Sequence, residues 1–285
     1  MCTMNKKIFK ITDEEIKDLY LSGYSLSDIA KIAQDTKGLM ALRRRLNDLG
    51  VSTAKNMKRY KYKISDSCKK YTLDETVFSV IDSNEKAYWL GFIMGDGYNH
   101  ETKSIIAIRI HKNDVELLKK LKEFFKTNRP IHLYKKQNKE YCELCINSVK
   151  ISEDLAKLGC VQNKTYLLEF PNIKEKFYSH FIRGYFDADG CISITPRKNR
   201  TSTSKQYQLN FVGKESVILK IQEIICNNTG VKKTLLRDRK YSFAKAISWC
   251  GRNVCKKILD YLYKESTIYL ERKYNKYLEI GNPAK

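Results

Sequence analysis

Two stretches of this chain, YWLGFIMGDGYN at 88–99 and FIRGYFDADGCI at 181–192, share one pattern: an apolar, aromatic run that ends in Asp-Gly. Aligned on Gly97 and Gly190, Gly91 matches Gly184, Gly95 matches Ala188, and Asp96 matches Asp189. The aspartates stand 93 residues apart (189 less 96), and 96 residues follow the second (285 less 189). Each copy therefore has room for one complete unit, and an internal duplication is the economical reading.

The segments after each motif agree in order. The first runs from helix FSVIDSNEKAYWLGFIMGDG through strand KSIIAIRIHK, helix DVELLKKLKEFFK, strands IHLYKK and YCELCINS, and helix SVKISEDLAKLG. The second runs from helix KFYSHFIRGYFDADG through strands CISITPRK and KQYQLNFVG, helix KESVILKIQEIICN, strands KKTLLRD and FAKAISWC, and helix RNVCKKILDYLY. Periods of 2 and 3.6 residues alternate in the same sequence in both. The predicted class is α+β, a duplicated αββαββα unit with repeats at 76–175 and 176–285.

The small residues of each motif lie four apart, Gly91 with Gly95 and Gly184 with Ala188, so each pair falls on one helix face and admits a second helix closely. If the motif helices pack through these faces, their C-terminal ends converge and Asp96 and Asp189 sit side by side. Paired carboxylates repel unless a cation stands between them. Mg²⁺ suits, because it takes one or two carboxylates and fills its shell with water and phosphate oxygens. Met94 stands where the second copy has Asp187, so chemistry common to both copies cannot rest on that position.

The charge supports a phosphate-rich partner. Lys and Arg number 54 against 32 Asp and Glu, a formal net charge of +22, which favours a polyanion. No apolar run reaches the length of a membrane span, and MCTMNKKIFKI lacks the apolar core of a secretion signal. The expectation is a cytoplasmic protein, or its equivalent in an organelle or phage-infected cell, neither secreted nor in a membrane. Nine scattered cysteines read as free thiols. Cys142 and Cys145 form a CxxC, but in a strand they point to opposite faces.

Ahead of the repeats, residues 1–50 read as a small all-α helix-turn-helix module, with helices at 12–23, 25–34 and 36–50. Thr12 and Glu15 form a capping box, and Arg43, Arg44 and Arg45 make the third helix basic. Residues 51–75 read as a basic linker.

WLGFIMGDG and IRGYFDADG resemble the paired LAGLIDADG motifs of homing endonucleases. LGCVQNKTYLLEFPNI (158–173) and IYLERKYNKYLE (268–279) are similar to the segments that close each repeat in that family, so the resemblance covers about 76–280. It implies a saddle whose two sheets lie over the DNA major groove, and a monomer that cuts both strands of a long, asymmetric double-stranded DNA site. Asp96 and Asp189, with the backbone of Gly95 and Ala188, would bind the catalytic Mg²⁺ or Mn²⁺. Lys164, and Arg272 or Lys273, would stand near the scissile phosphate, with His111, Lys112 and Lys214 as weaker candidates for ordering water. Arg109, Lys135, Lys136, Arg197, Lys198, Arg200, Lys205, Gln208, Arg237, Arg239 and Lys240 on the strands and their turns would contact DNA, as would Arg43, Arg44 and Arg45. The resemblance also admits a catalytically silent DNA-binding regulator, or a maturase acting on the RNA of its own intron.

Overall fold

The structure, a computed structural model, describes residues 11–22, 24, 26–33, 42, 45, 46, 48–51, 70–161, 168–198, 203–239 and 242–282. The chain divides into two compact units, Met1–Lys69 and Lys70–Lys285.

In the first unit, α1 (Asp13–Leu21) opens with the predicted capping box: the Glu15 amide donates to Thr12 Oγ1 at 3.3 Å and the Thr12 amide to Glu15 Oε2 at 2.7 Å. α2 (Leu26–Ile32) follows. Ile16, Tyr20, Ile29 and Ala30 are buried with Leu42, Leu46 and Val51 in one small core. Most of the predicted third helix, with Arg43 and Arg44, lies outside the described residues. The Arg45 guanidinium pairs with Asp13 in the first turn of α1.

The second unit begins at Lys70, so residues 70–75 pack with the first repeat rather than the linker. The Asp74 amide donates to the Phe125 carbonyl at 2.9 Å and the Thr72 amide to Asn128 Oδ1 at 2.9 Å. The first motif helix, α3 (Asn84–Asp96), starts later than the pattern from Phe78 suggests. Asp74 accepts from the Thr76 amide at 3.0 Å and holds 75–79 in turns, and Ser83 caps the true start, accepting from the Lys86 amide at 3.2 Å.

Then come β1 (Gly97–His100), β2 (Ile105–His111), α4 (Val115–Phe124), β3 (His132–Lys136), β4 (Lys139–Asn147) and α5 (Val149–Lys157). The second repeat has α6 (Tyr178–Asp189), β5 (Cys191–Lys198), β6 (Thr203–Gly213), α7 (Glu215–Thr229), β7 (Arg237–Arg239), β8 (Ser242–Cys250), α8 (Arg252–Tyr263) and a closing helix α9 (Glu271–Gly281). Each repeat forms a four-stranded antiparallel sheet, ordered β1-β2-β4-β3 and β5-β6-β8-β7. The duplication is present, with one addition: β1 (Gly97–His100) is a strand absent from the sequence reading, and it makes the first sheet four-stranded like the second.

One face of each sheet packs on the helices. Ile106, Ile108, Ile110, Cys142, Leu144 and Ile146 are buried there in the first sheet, as are Ile192, Leu209, Phe211, Ile247 and Trp249 in the second. These residues and both motif helices form one continuous core, so the repeats fold as a pair. Each such side chain, fully buried, contributes about 1.5–3 kcal/mol. Within the polar stretch 196–206, β5 runs to Lys198 as predicted and β6 starts at Thr203, two residues before the predicted strand. Strand pairing satisfies the backbone there without an apolar face beneath it.

Candidate active site at the ends of the motif helices

α3 and α6 cross at backbone contact. A Cβ on Gly91 would stand 2.0 Å from the Phe181 carbonyl oxygen and 2.8 Å from the Tyr185 amide nitrogen. One on Gly184 would stand 1.9 Å from the Tyr88 carbonyl oxygen and 2.9 Å from the Phe92 amide nitrogen. Positions 88 and 181, 91 and 184, and 92 and 185 are equivalents, so each helix makes to its partner the contact it receives. A local two-fold relation therefore runs between the helices. One turn further on, equivalent residues meet: a Cβ on Gly95 would lie 2.3 Å from Ala188 Cβ. The four predicted interface residues are all in this crossing.

The aspartates follow at once. A Cβ on Gly95 would stand 3.3 Å from Asp189 Oδ2, which places that carboxylate against the other motif helix. Asp96 and Asp189 are the last residues of their helices, and both are exposed. The carbonyl ends of both helices add negative partial charge at the same place. Among the described residues no three His, Cys, Asp or Glu gather as a metal cage. Two exposed carboxylates beside open surface nonetheless fit Mg²⁺ or Mn²⁺, which would draw its other ligands from water and substrate phosphate. The CxxC fits no such role. Cys142 pairs with Ile110 on the helix side, whereas Cys145 pairs with Ala107 on the other.

Position 94/187 has a structural use. Asp187 is wholly buried and accepts from Tyr88 Oη at 3.0 Å, Tyr263 Oη at 2.5 Å and the Leu270 amide at 2.8 Å. It thereby ties both motif helices and α8 to the start of the closing segment. Burial pushes its pKa up, against the pull of the Lys273 ammonium and these donors. Met94, equally buried, lies beside Gly159, where a Cβ would come 3.4 Å from its Cε. Both equivalents thus touch their own repeat's closing segment, one by packing and one by hydrogen bonds.

Lys273, predicted to stand near the scissile phosphate, is buried against the end of α6. It is only 3% exposed, and its ammonium donates to the carbonyl oxygens of Phe186 at 2.5 Å and Asp187 at 2.8 Å in the last turn of α6. Burial lowers its pKa to about 8, while the charges of Asp187 and Asp96 oppose that shift. Arg272 is exposed but pairs with Asp114 at 3.2 Å. Lys214 pairs with Glu169, and Lys112 with Glu140 at 3.1 Å. His111 Nδ1 accepts from the Asn113 amide at 3.2 Å, capping the short turn there. Lys164 lies outside the described residues.

Arg183 and His180 escaped the sequence reading. The buried Arg183 guanidinium donates to the carbonyls of Ile268 and Leu262, each at 3.0 Å, and to His180 Nδ1 at 2.9 Å. It also lies over the Tyr88 ring at 5.1 Å. Burial lowers the His180 pKa to about 4, with the Arg183 charge adding to it. The available signal was an arginine inside an apolar motif, but its partners lie 79 and 85 residues away.

Strand register sorts the predicted DNA contacts. Arg109 faces away from the helices in a row with Glu143 and His132, and it pairs with Glu143 at 2.8 Å. Lys136, Gln208, Arg237 and Arg239 also stand on the open faces. Lys135 and Lys205 fall in the opposite phase, where Lys135 meets Glu140 at 3.3 Å and Lys205 meets Glu279 of α9 at 2.8 Å. A two-residue period puts neighbours on opposite faces, so runs of basic residues cannot all look one way. Arg197 and Lys198 end β5 in register with Ser204 and Thr203. Arg200 and Lys240 lie outside the described residues.

Residues 182–282, nearly the whole second repeat, match the family profile described as LAGLIDADG endonuclease. Over 156 residues, 54% of this chain, it is 30% identical to the reverse gyrase of Methanocaldococcus jannaschii; the match spans 9% of that protein's length. Among solved structures, a lysine-to-alanine mutant of I-SmaMI shares the fold at 12% identity, with 68% of this chain and 89% of that chain covered and a TM-score of 0.50. The I-LtrWI LAGLIDADG homing endonuclease bound to target DNA is similar over 70% of this chain and 89% of its own, at 10% identity and a TM-score of 0.48. No helix among the described residues is long and apolar enough to cross a membrane.

Proposed function

We propose that this chain is a site-specific, metal-dependent endonuclease of the LAGLIDADG family that cuts both strands of a long, asymmetric double-stranded DNA site. The observation that supports the reading is the approach of the Asp189 carboxylate to Gly95, the residue before Asp96, at the Gly95–Ala188 contact. Equivalent carboxylates on a local two-fold suit two phosphates of opposite polarity. A bound Mg²⁺ or Mn²⁺ would activate water and stabilise the leaving oxygen. The chain's own part is to hold the carboxylates together, to exclude other acids from the site by burying Asp187, and to seat DNA on the open sheet faces. The strongly basic composition supplies the attraction to phosphate. Residues 1–50, read as a helix-turn-helix module, would add DNA contacts and lengthen the footprint.

The test is cleavage of a randomised DNA library with Mg²⁺, with Ca²⁺ and with EDTA, followed by sequencing of cut ends. Paired breaks at one long, imperfectly symmetric site, with Mg²⁺ and not with EDTA, would establish the reading. Salt-sensitive retention of one DNA without cutting would replace it with a silent DNA-binding regulator.

A further inference from the structure

The glycine crossing cannot tell one repeat from the other. Gly91 and Gly184 each meet the backbone of the opposite helix in the same way, so a first repeat could cross the first repeat of another copy as readily as its own second. Exchange between chains would then compete with folding within one, as it does wherever like elements can swap. The residues around the crossing do tell the repeats apart. Asp114 is the N-cap of α4 and Lys214 the N-cap of α7, and the two are equivalents: three, four and seven residues on, Leu117, Leu118 and Leu121 are buried in the first repeat and Val217, Ile218 and Ile221 in the second. Neither side chain makes a capping hydrogen bond to its own helix. Each is met instead by the closing segment of the opposite repeat. Arg272, two residues past the buried Leu270, pairs with Asp114 at 3.2 Å. Glu169, next to the buried Leu168, pairs with Lys214. The contact is the same and the charges are exchanged. A third contact, inside the core, has the same property. Tyr88 Oη of α3 donates to Asp187 of α6 at 3.0 Å. The equivalents of these two are Phe181 and Met94, which offer neither a hydroxyl nor a carboxylate.

We propose that these exchanged charges select the partner of each repeat: they fit the first repeat to the second of the same chain and reject a like repeat from another copy. If two first repeats paired, Glu169 would face Asp114; if two second repeats paired, Arg272 would face Lys214. Tyr88 would meet Met94 in the first case, and Asp187 would lose one of its donors in the second. Exposed ion pairs add little stability, but like charges set face to face discriminate between partners. The selection does not depend on the endonuclease reading.

The experiment refolds the full chain from denaturant at high protein concentration and reads the products by size-exclusion chromatography with light scattering. Two variants keep the net charge of the parent. Asp114→Lys with Lys214→Asp exchanges the caps, so that the native pairing opposes like charges and each like pairing joins opposite ones. Adding Glu169→Arg and Arg272→Glu exchanges the closing charges too and restores the order. The parent should refold chiefly to the mass of one chain. The cap exchange should raise the share of dimer about tenfold, as exposed pairs turned from attraction to repulsion would give, and the fourfold exchange should return it to the parental level. A cap exchange that stays unfolded by circular dichroism beside a folded fourfold variant would also bear the proposal out, because only the order of charges separates them. A parent that refolds chiefly as a dimer, a cap exchange with the parental share of dimer, or a fourfold variant no different from the cap exchange would overturn it.

Discussion

The open faces of the two sheets share one strand order and carry different chemistry. The first presents rings and charges: His111, Tyr141 and Tyr134 form one row across it, and Arg109, Glu143 and His132 form the next. The second presents small hydroxyls and amides, with Arg237 and Arg239 confined to its β7 edge: Ser193 lines up with Gln208, Cys191 with Asn210 and Ser248, and Thr195 with Gln206. Several of these already touch, Gln208 Nε2 donating to Asn210 Oδ1 at 3.2 Å. The buried layer is apolar in both sheets; the open layer is free of that constraint. The same contrast holds at the closing segments. In the first repeat the neutral Asn99 amide donates to the carbonyls of Ser152 and Cys160 at 3.0 and 2.9 Å. In the second, Asp187, Lys273 and Lys276 do comparable work with charge. What the halves keep in common is the glycine crossing and the terminal aspartate, and that conjunction marks the site.

Paired substitutions at equivalent positions can break or sharpen this comparison. The largest effect is expected where the halves are alike. Asp96→Asn and Asp189→Asn should each abolish double-strand cleavage and leave DNA binding largely intact, measured by plasmid linearisation beside a gel shift. A variant of either that still linearises fully would remove that carboxylate from the site.

Next comes the position where the halves differ inside the core. Asp187→Met would leave two tyrosine hydroxyls and the Leu270 amide without their acceptor. Each unsatisfied buried group costs about 1–3 kcal/mol, so a loss of at least about 2 kcal/mol in denaturant unfolding is expected. Met94→Leu, a swap that keeps volume, should cost less than about 1.5 kcal/mol. Equal costs would mean that Asp187 is not the hub its hydrogen bonds describe.

The open faces give smaller, separable effects. Gln208→Ala should relax base preference within one half-site by about 1–3 kcal/mol. Lys136→Ala should weaken binding to all sequences alike and lower the salt slope by about 1. A binding-site selection and a salt titration on both variants check this; exchanged phenotypes would reverse the roles given to Gln208 and Lys136.

The smallest effect concerns acid. His180 titrates near 6.5 when unfolded and at about 4 when folded. Between those values the unfolded chain binds a proton that the folded chain refuses, so this group's contribution to stability falls as pH drops from about 6.5 to 4. His180→Gln should flatten that part of the stability–pH curve. An unchanged slope would show that other groups govern it.

The sequence displayed this architecture to an unusual depth because it states the pattern twice. Gly91 and Gly184 could be matched before any contact was known, and their backbone approach followed from spacing alone. The strand pairs were legible from alternation. Less legible was anything set by long-range partners. Lys273 looked like a phosphate contact because basic residues next to tyrosines in a closing segment are ordinarily exposed; its burial depends on the end of α6, far away in the chain. Lys135 and Lys205 were grouped with neighbours although strand phase turns them toward the helices. The start of α3 was placed early because Val77, Phe78 and Ile81 are apolar at helical spacing, whereas Asp74 and Ser83 fix turns between them. Burial of those side chains serves the core without a helix.

The most direct test of the account locates the metal itself. The complex of the chain with its selected DNA would be crystallised with Mn²⁺, and anomalous scattering recorded at the manganese edge. The account predicts density bound to the carboxylates of Asp96 and Asp189, lost from the Asp189 side in Asp189→Asn, and none at Asp187. Manganese held by other residues, with both motif carboxylates bare, would contradict it.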